Sequence, residues 1–83
     1  MIEFRYDTQL LVEGEDLDTL IMIDHISKTF KGDSLVIAGD DELVKVHYHT
    51  NEPWQVLEYF SLLGEIHDIV VEDMIRQSNG KQG

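Results

Sequence analysis

The stretch that most constrains this chain runs Gly39-Asp40-Asp41-Glu42-Leu43-Val44-Lys45-Val46-His47-Tyr48-His49-Thr50-Asn51-Glu52-Pro53. Leu43 to His49 alternates as a half-buried strand does. Successive side chains on a strand point to opposite faces, so Val44, Val46 and Tyr48 share one side and Lys45, His47 and His49 the other. The apolar set has to be the core side, which leaves two imidazoles next to each other on the opposite face. Thr50-Asn51-Glu52-Pro53 ends the strand. Proline cannot donate to a sheet ladder, but its fixed φ suits the first turn of a helix, with Asn51 or Glu52 before it as cap.

The other segments have their own periods. Glu3 to Val12 alternates, with Phe4, Tyr6, Thr8, Leu10 and Val12 on one face and Arg5, Asp7, Gln9 and Leu11 on the other, which predicts a first strand. Gly14-Glu15-Asp16 breaks it, and Asp16 or Asp18 can cap the helix expected over Leu17 to Phe30. Its stripe reads Leu20, Ile23, Ser27 and Phe30, widened by Met22 and Ile26, with Ile21 off it. Gly32 reads as a left-handed helix stop. Ser34 to Ala38 is a short strand joined through Asp40-Asp41 to the next, in a register that sets Ile37 opposite Val44 and Leu35 opposite Val46. Pro53 to Leu63 is a second helix on Val56, Leu57, Phe60 and Leu63. Glu65 to Met74 is a fourth strand with Ile69 and Val71 inward and Asp68, Val70 and Glu72 outward. The expected domain covers residues 1–75, with a flexible polar tail over 76–83.

The order β-α-β-β-α-β predicts an α+β, ferredoxin-like split βαβ sandwich: four antiparallel strands with both helices on one face. First and third strands are then central, antiparallel neighbours. The early part of one lies beside the late part of the other, so Asp7 approaches His47 and His49 on the open face.

Composition narrows the function. The 83 residues allow one domain, and 42% hydrophobic and 28% charged residues are ordinary globular values. There is no cysteine, hence neither disulfides nor a thiolate metal site. Seventeen acidic residues against six basic ones give a net charge of -11, which argues against nucleic acid and against an anionic membrane, because phosphates are held by Lys and Arg. No apolar run approaches the roughly 20 residues that cross a bilayer, and no signal peptide opens the chain, so the expectation is a soluble cytoplasmic domain.

Asp7, His47 and His49 are the candidate metal ligands. Residues i and i+2 on a strand lie about 6.5–7 Å apart, a span that two imidazoles can close on one ion. Asp7 adds a carboxylate oxygen. Two His and one carboxylate suit zinc or another divalent first-row metal, with a fourth position for water. The competing reading is two solvated histidines on a half-exposed sheet. No nucleophile or phosphate-cradling loop accompanies them, since Ser34 and Thr50 read as turn residues and Gly39-Asp40-Asp41 would repel phosphate. No catalytic or cofactor-binding residue is expected. His25 and His67 have no partner at recognisable spacing.

The runs Gly32-Asp33-Ser34-Leu35-Val36-Ile37-Ala38-Gly39-Asp40-Asp41 and Val44-Lys45-Val46-His47-Tyr48-His49-Thr50-Asn51-Glu52-Pro53 resemble the middle domain of the fatty acid kinase catalytic subunit family, dihydroxyacetone-kinase-like proteins of bacteria. Phe4 to Asp18 resembles the start of the same domain. The resemblance covers residues 4 to about 74. It implies a non-catalytic linker and dimerisation module of a phosphotransferase. Its expected partners are a kinase-type domain on one side, a lipid-binding domain related to DegV proteins on the other, and a second copy in a weak homodimer. ATP and magnesium belong to the parent's kinase domain. The resemblance also implies zinc at the histidine pair, completed in the family by a cysteine of a Gly-Tyr-Cys-Thr-Glu-type segment. Here that segment is Arg5-Tyr6-Asp7-Thr8-Gln9, so Asp7 takes the cysteine's place. The alternative is an independent ferredoxin-like regulatory module that binds a small ligand or a divalent metal.

Overall fold

A computed structural model describes residues 1–83. Its elements are β1 (Tyr6–Glu13), α1 (Thr19–Thr29), β2 (Gly32–Gly39), β3 (Leu43–Thr50), α2 (Pro53–Leu63), β4 (Glu65–Asp73) and α3 (Met74–Ser78). The strands form one antiparallel sheet in the order β2-β3-β1-β4. This is the ferredoxin-like split sandwich that the alternation and element order predict. It puts β1 and β3 at the centre, with Asp7 opposite His49 and Gln9 opposite His47.

The core lies between the sheet and the helices. Thr8, Leu10 and Val12 of β1 and Val44, Val46 and Tyr48 of β3 are buried, and Val56 and Phe60 of α2 close over them. On α1 the buried pair is Met22 and Ile26, while Leu20 is 77% exposed and Ile23 37%. The stripe expected on Leu20 and Ile23 is thus displaced. At 100° per residue Leu20 and Met22 are more than half a turn apart and cannot share a face, and the one centred on Met22 and Ile26 meets the sheet. Asp18 caps α1, accepting from the amides of Leu20 and Ile21 at 3.0 and 3.2 Å.

Gly32 is not a helix stop. It is the first residue of β2, and α1 ends on the extended Phe30. The glycine is needed for close approach. A Cβ there would lie 2.3 Å from Tyr48 Cζ and 2.4 Å from the His49 carbonyl oxygen. The Tyr48 hydroxyl reaches over to donate to the Phe30 carbonyl at 2.7 Å, and the Thr50 hydroxyl donates to that of Lys31 at 3.0 Å.

The β2–β3 hairpin is longer than expected. Ile37 pairs with Val46 and Gly39 with Val44, because Asp40 accepts from the amides of both Glu42 and Leu43 and draws them into the turn. The shift of two keeps the core face. Lower in β2 a bulge at Ser34, whose φ is 56°, brings Asp33 opposite His49. A second bulge in β4 centres on Asp68, φ 52°. At the end of β3, Glu52 is the N-cap of α2 without a side-chain bond, and Asn51 instead accepts from the Arg5 amide at 2.8 Å. The polar C-terminal stretch begins as helix α3 rather than as irregular chain. Asp73 caps it and takes both Nε and a terminal guanidinium nitrogen of Arg5 on one oxygen, at 2.9 and 2.8 Å.

Candidate metal centre

The open face of the sheet carries the polar chemistry. Strand alternation and the β1–β3 register put Asp7, Gln9, Lys45, His47 and His49 there together. His47 Nε2 lies 2.8 Å from Asp7 Oδ1, and His49 Nε2 lies 3.8 Å from the same oxygen. The two rings meet edge to face with centroids 4.9 Å apart. One donor atom from each of the three residues falls within 4.8 Å of the others. The three residues singled out in the sequence are therefore adjacent in the fold. All are half-buried, with side chains 21–29% exposed, so they are shielded but reachable.

This donor set fits a small divalent ion. Around tetrahedral zinc, with bonds of about 2.0–2.2 Å, neighbouring ligand atoms sit about 3.4 Å apart. The observed 2.8 and 3.8 Å bracket that spacing. Two groups beyond the trio hold it in place. Asp33 Oδ1 lies 3.4 Å from His49 Nδ1, on the ring edge away from Asp7. A carboxylate on the second nitrogen fixes a ligating imidazole's tautomer and orientation. Gln9 Nε2 donates to the Asp7 carboxylate at 3.4 Å.

Asp33 is a residue that sequence reasoning misses. In the expected register it falls opposite Tyr48, on the core side; only the bulge moves it to His49. The same holds for a second histidine on this face. His67 has Nδ1 3.2 Å from Asp68 Oδ1 and Nε2 2.7 Å from Glu13 Oε1. The Glu13 contact is close enough for an ion pair, but it lacks hydrogen-bond alignment. Hydrogen bonding to Asp68, then the interactions with Glu13, hold His67 above imidazole's ordinary pKa against a partial loss of hydration. His25 also has a partner: it lies flat on Tyr59 with centroids 4.3 Å apart.

Residues 3–81 match the family model of the FakA-like middle domain, which is the middle domain of proteins like the A chain of fatty acid kinase. The chain belongs to that family. Among curated relatives, an uncharacterized protein of Staphylococcus haemolyticus is 48% identical over an alignment that covers 92% of this chain and 14% of that protein. One from Staphylococcus saprophyticus is 33% identical over 86% of this chain and 15% of its own length. One from Staphylococcus epidermidis is 48% identical over 55% of this chain and 8% of its own. The chain thus spans less than a sixth of these relatives. A FakA-like middle domain is one part of a larger, multidomain protein. No helix here is long and apolar enough to cross a membrane.

Proposed function

We propose that this middle domain is a non-catalytic linker and dimerisation module of a fatty-acid-kinase-type phosphotransferase in the cytoplasm, and that Asp7, His47 and His49 hold a zinc ion. In this reading the nucleotide and magnesium chemistry belongs to a kinase-type neighbour, and a DegV-like lipid-binding domain lies on the other side. The observation that carries the metal is the approach of three donor atoms, from two adjacent central strands, to within 4.8 Å of one another. The ion would tie β1 to β3 on the face that the helices leave open. Dimerisation is supported by the same face. Val36, Leu43 and Val70 are exposed there beside groups of both signs, Lys45 and the histidines against Asp7, Glu13 and Asp33. A two-fold pairing of that surface can match opposite charges and bury apolar area.

The 83-residue chain provides the test. Isothermal titration is expected to show one zinc per chain and ATP hydrolysis to stay at the buffer level. Light scattering is expected to show self-association that Val36→Asp weakens. Turnover of ATP above the control would overturn the module reading. Absence of a zinc isotherm would overturn the metal, and a strict monomer at high concentration would overturn dimerisation by this domain.

A further inference from the structure

A second surface, on the helix layer, has a different character. The N-terminal half of α1 and the C-terminal half of α2 leave a groove of about 220 Å³ between them. Its floor and walls are Leu17, Ile21, Met22, Tyr59 and Leu63. Ile21 is 63% exposed and Leu63 39%, although both are large and apolar. At the other end of the helix pair the gap is filled, because His25 stacks on Tyr59 and Phe30 meets that ring edge-on. The groove therefore opens at one end only.

That end is ringed by carboxylates. Glu15, Asp16 and Asp18 line the groove itself. Asp41 and Glu42 of the β2–β3 turn are joined to it by backbone bonds, Gly14 N–H to the Glu42 carbonyl at 3.0 Å and Leu17 N–H to that of Asp41 at 2.9 Å. None of the six basic residues lines this groove or the acidic hollow that Gly14, Glu15, Asp16, Asp41 and Glu42 form beside it. An apolar cleft inside a rim of one sign selects its occupant. A second copy in a two-fold contact would set the acidic rim against itself, and an anionic lipid surface would be repelled. A helix that carries apolar anchors along one stripe and Lys or Arg beside it satisfies both features.

We propose that the α1/α2 groove is the docking site for a basic amphipathic helix of a protein partner, with its apolar anchors against Ile21, Tyr59 and Leu63 and its cations on the Glu15–Asp18 rim. This surface is separate from the open sheet face, so the proposal stands or falls apart from the metal and the homodimer.

The experiment titrates the 83-residue chain with a synthetic Leu/Lys amphipathic helix and follows amide chemical shifts. Shifts should centre on Leu17, Ile21, Tyr59 and Leu63, shrink with added salt, and be absent with the matched Leu/Glu peptide. Ile21→Lys, at an exposed helical position that leaves the fold intact by circular dichroism, should weaken binding about tenfold or more. Glu15→Gln with Asp16→Asn should weaken it without touching the apolar floor. No binding, shifts centred on the open sheet, or equal binding of both peptides would overturn the proposal. So would loss of self-association in Ile21→Lys, which would make the groove a face between copies, or binding of the wild-type chain to anionic vesicles.

Discussion

Two histidine–carboxylate clusters share the open face of this sheet, and they are built differently. At the β1–β3 seam, Asp7, His47 and His49 aim three donor atoms at one point, and Asp33 steadies one ring from behind. At the β1–β4 seam, His67 alone lies between two carboxylates, Asp68 on Nδ1 and Glu13 on Nε2. The first arrangement leaves a space that a cation fills. The second already uses both nitrogens of its one ring, so it holds a proton rather than a metal. The difference is one of count. Three ligands around one centre define a coordination site, whereas one imidazole flanked on both edges defines a charge pair.

Each cluster also rests on a glycine that lets a backbone come close, and this offers the largest expected effect. A Cβ at Gly32 would meet the Tyr48 ring and the His49 carbonyl, and one at Gly64 would lie 2.2 Å from the Glu13 carbonyl. Gly32→Ala should therefore push β2 from β3 and cost about 3 kcal/mol, the upper part of the range for overpacking, or about 10–20 °C in Tm. It should weaken zinc binding as well, through His49. Gly64→Ala should be comparably destabilising but leave zinc affinity unchanged. Thermal melts and zinc titrations of the two variants check this. Equal zinc affinity in both would show that the first cluster does not depend on the approach of β2.

Zinc itself should separate the clusters next. The apolar core is complete without an ion, so binding stabilises a preformed fold. At a hundredfold excess over Kd the gain is about 2.7 kcal/mol. His47→Ala and His49→Ala should each abolish the thermal shift, and His67→Ala should keep it. Asp7→Cys, which supplies a softer thiolate in place of a carboxylate, should tighten zinc about tenfold or more, about 1.4 kcal/mol. A shift that survives His47→Ala but is lost in His67→Ala would reverse the assignment of roles.

The split between legible and illegible parts follows from periodicity. Alternation in Leu43–His49 and in the first strand, together with element order, is enough to derive the central β1–β3 pair and hence the nearness of Asp7 to His47 and His49. The helix stripe on α1 goes astray because Leu20, Ile21, Ile23 and Ile26 are all apolar, and periodicity cannot choose among overlapping faces until the sheet is placed. The bulges are harder still. Ser34 and Asp68 take positive φ with residue types that rarely announce it, and each shift re-aims a carboxylate or an imidazole. Asp33 and the His67 pair are invisible for that reason. The exposed Ile21 reads as noise in the sequence and gains meaning only beside Leu63 and Tyr59 on the other helix.

The smallest effect concerns pH, where the clusters should slope in opposite directions. His67 has a raised pKa in the folded chain, chiefly from Asp68 and secondarily from Glu13. A raised value means that the folded state holds the proton more tightly than the unfolded state does. The stabilisation is fully present below the unfolded imidazole's value, about 6.5, and is lost as pH rises through the folded value. Zinc acts the other way, since protonated imidazoles cannot ligate, and its stabilisation fades as pH falls. In denaturant melts without metal, wild type should therefore lose a little stability from about pH 6 to about pH 9 relative to His67→Gln. Asp68→Asn should remove most of that slope and Glu13→Gln less of it. In melts with saturating zinc, the metal-dependent increment should grow over the same interval in wild type and in His67→Gln alike. A metal-free slope unchanged by His67→Gln would place the proton elsewhere. A zinc increment that vanished in that variant would mean that the two clusters are one site.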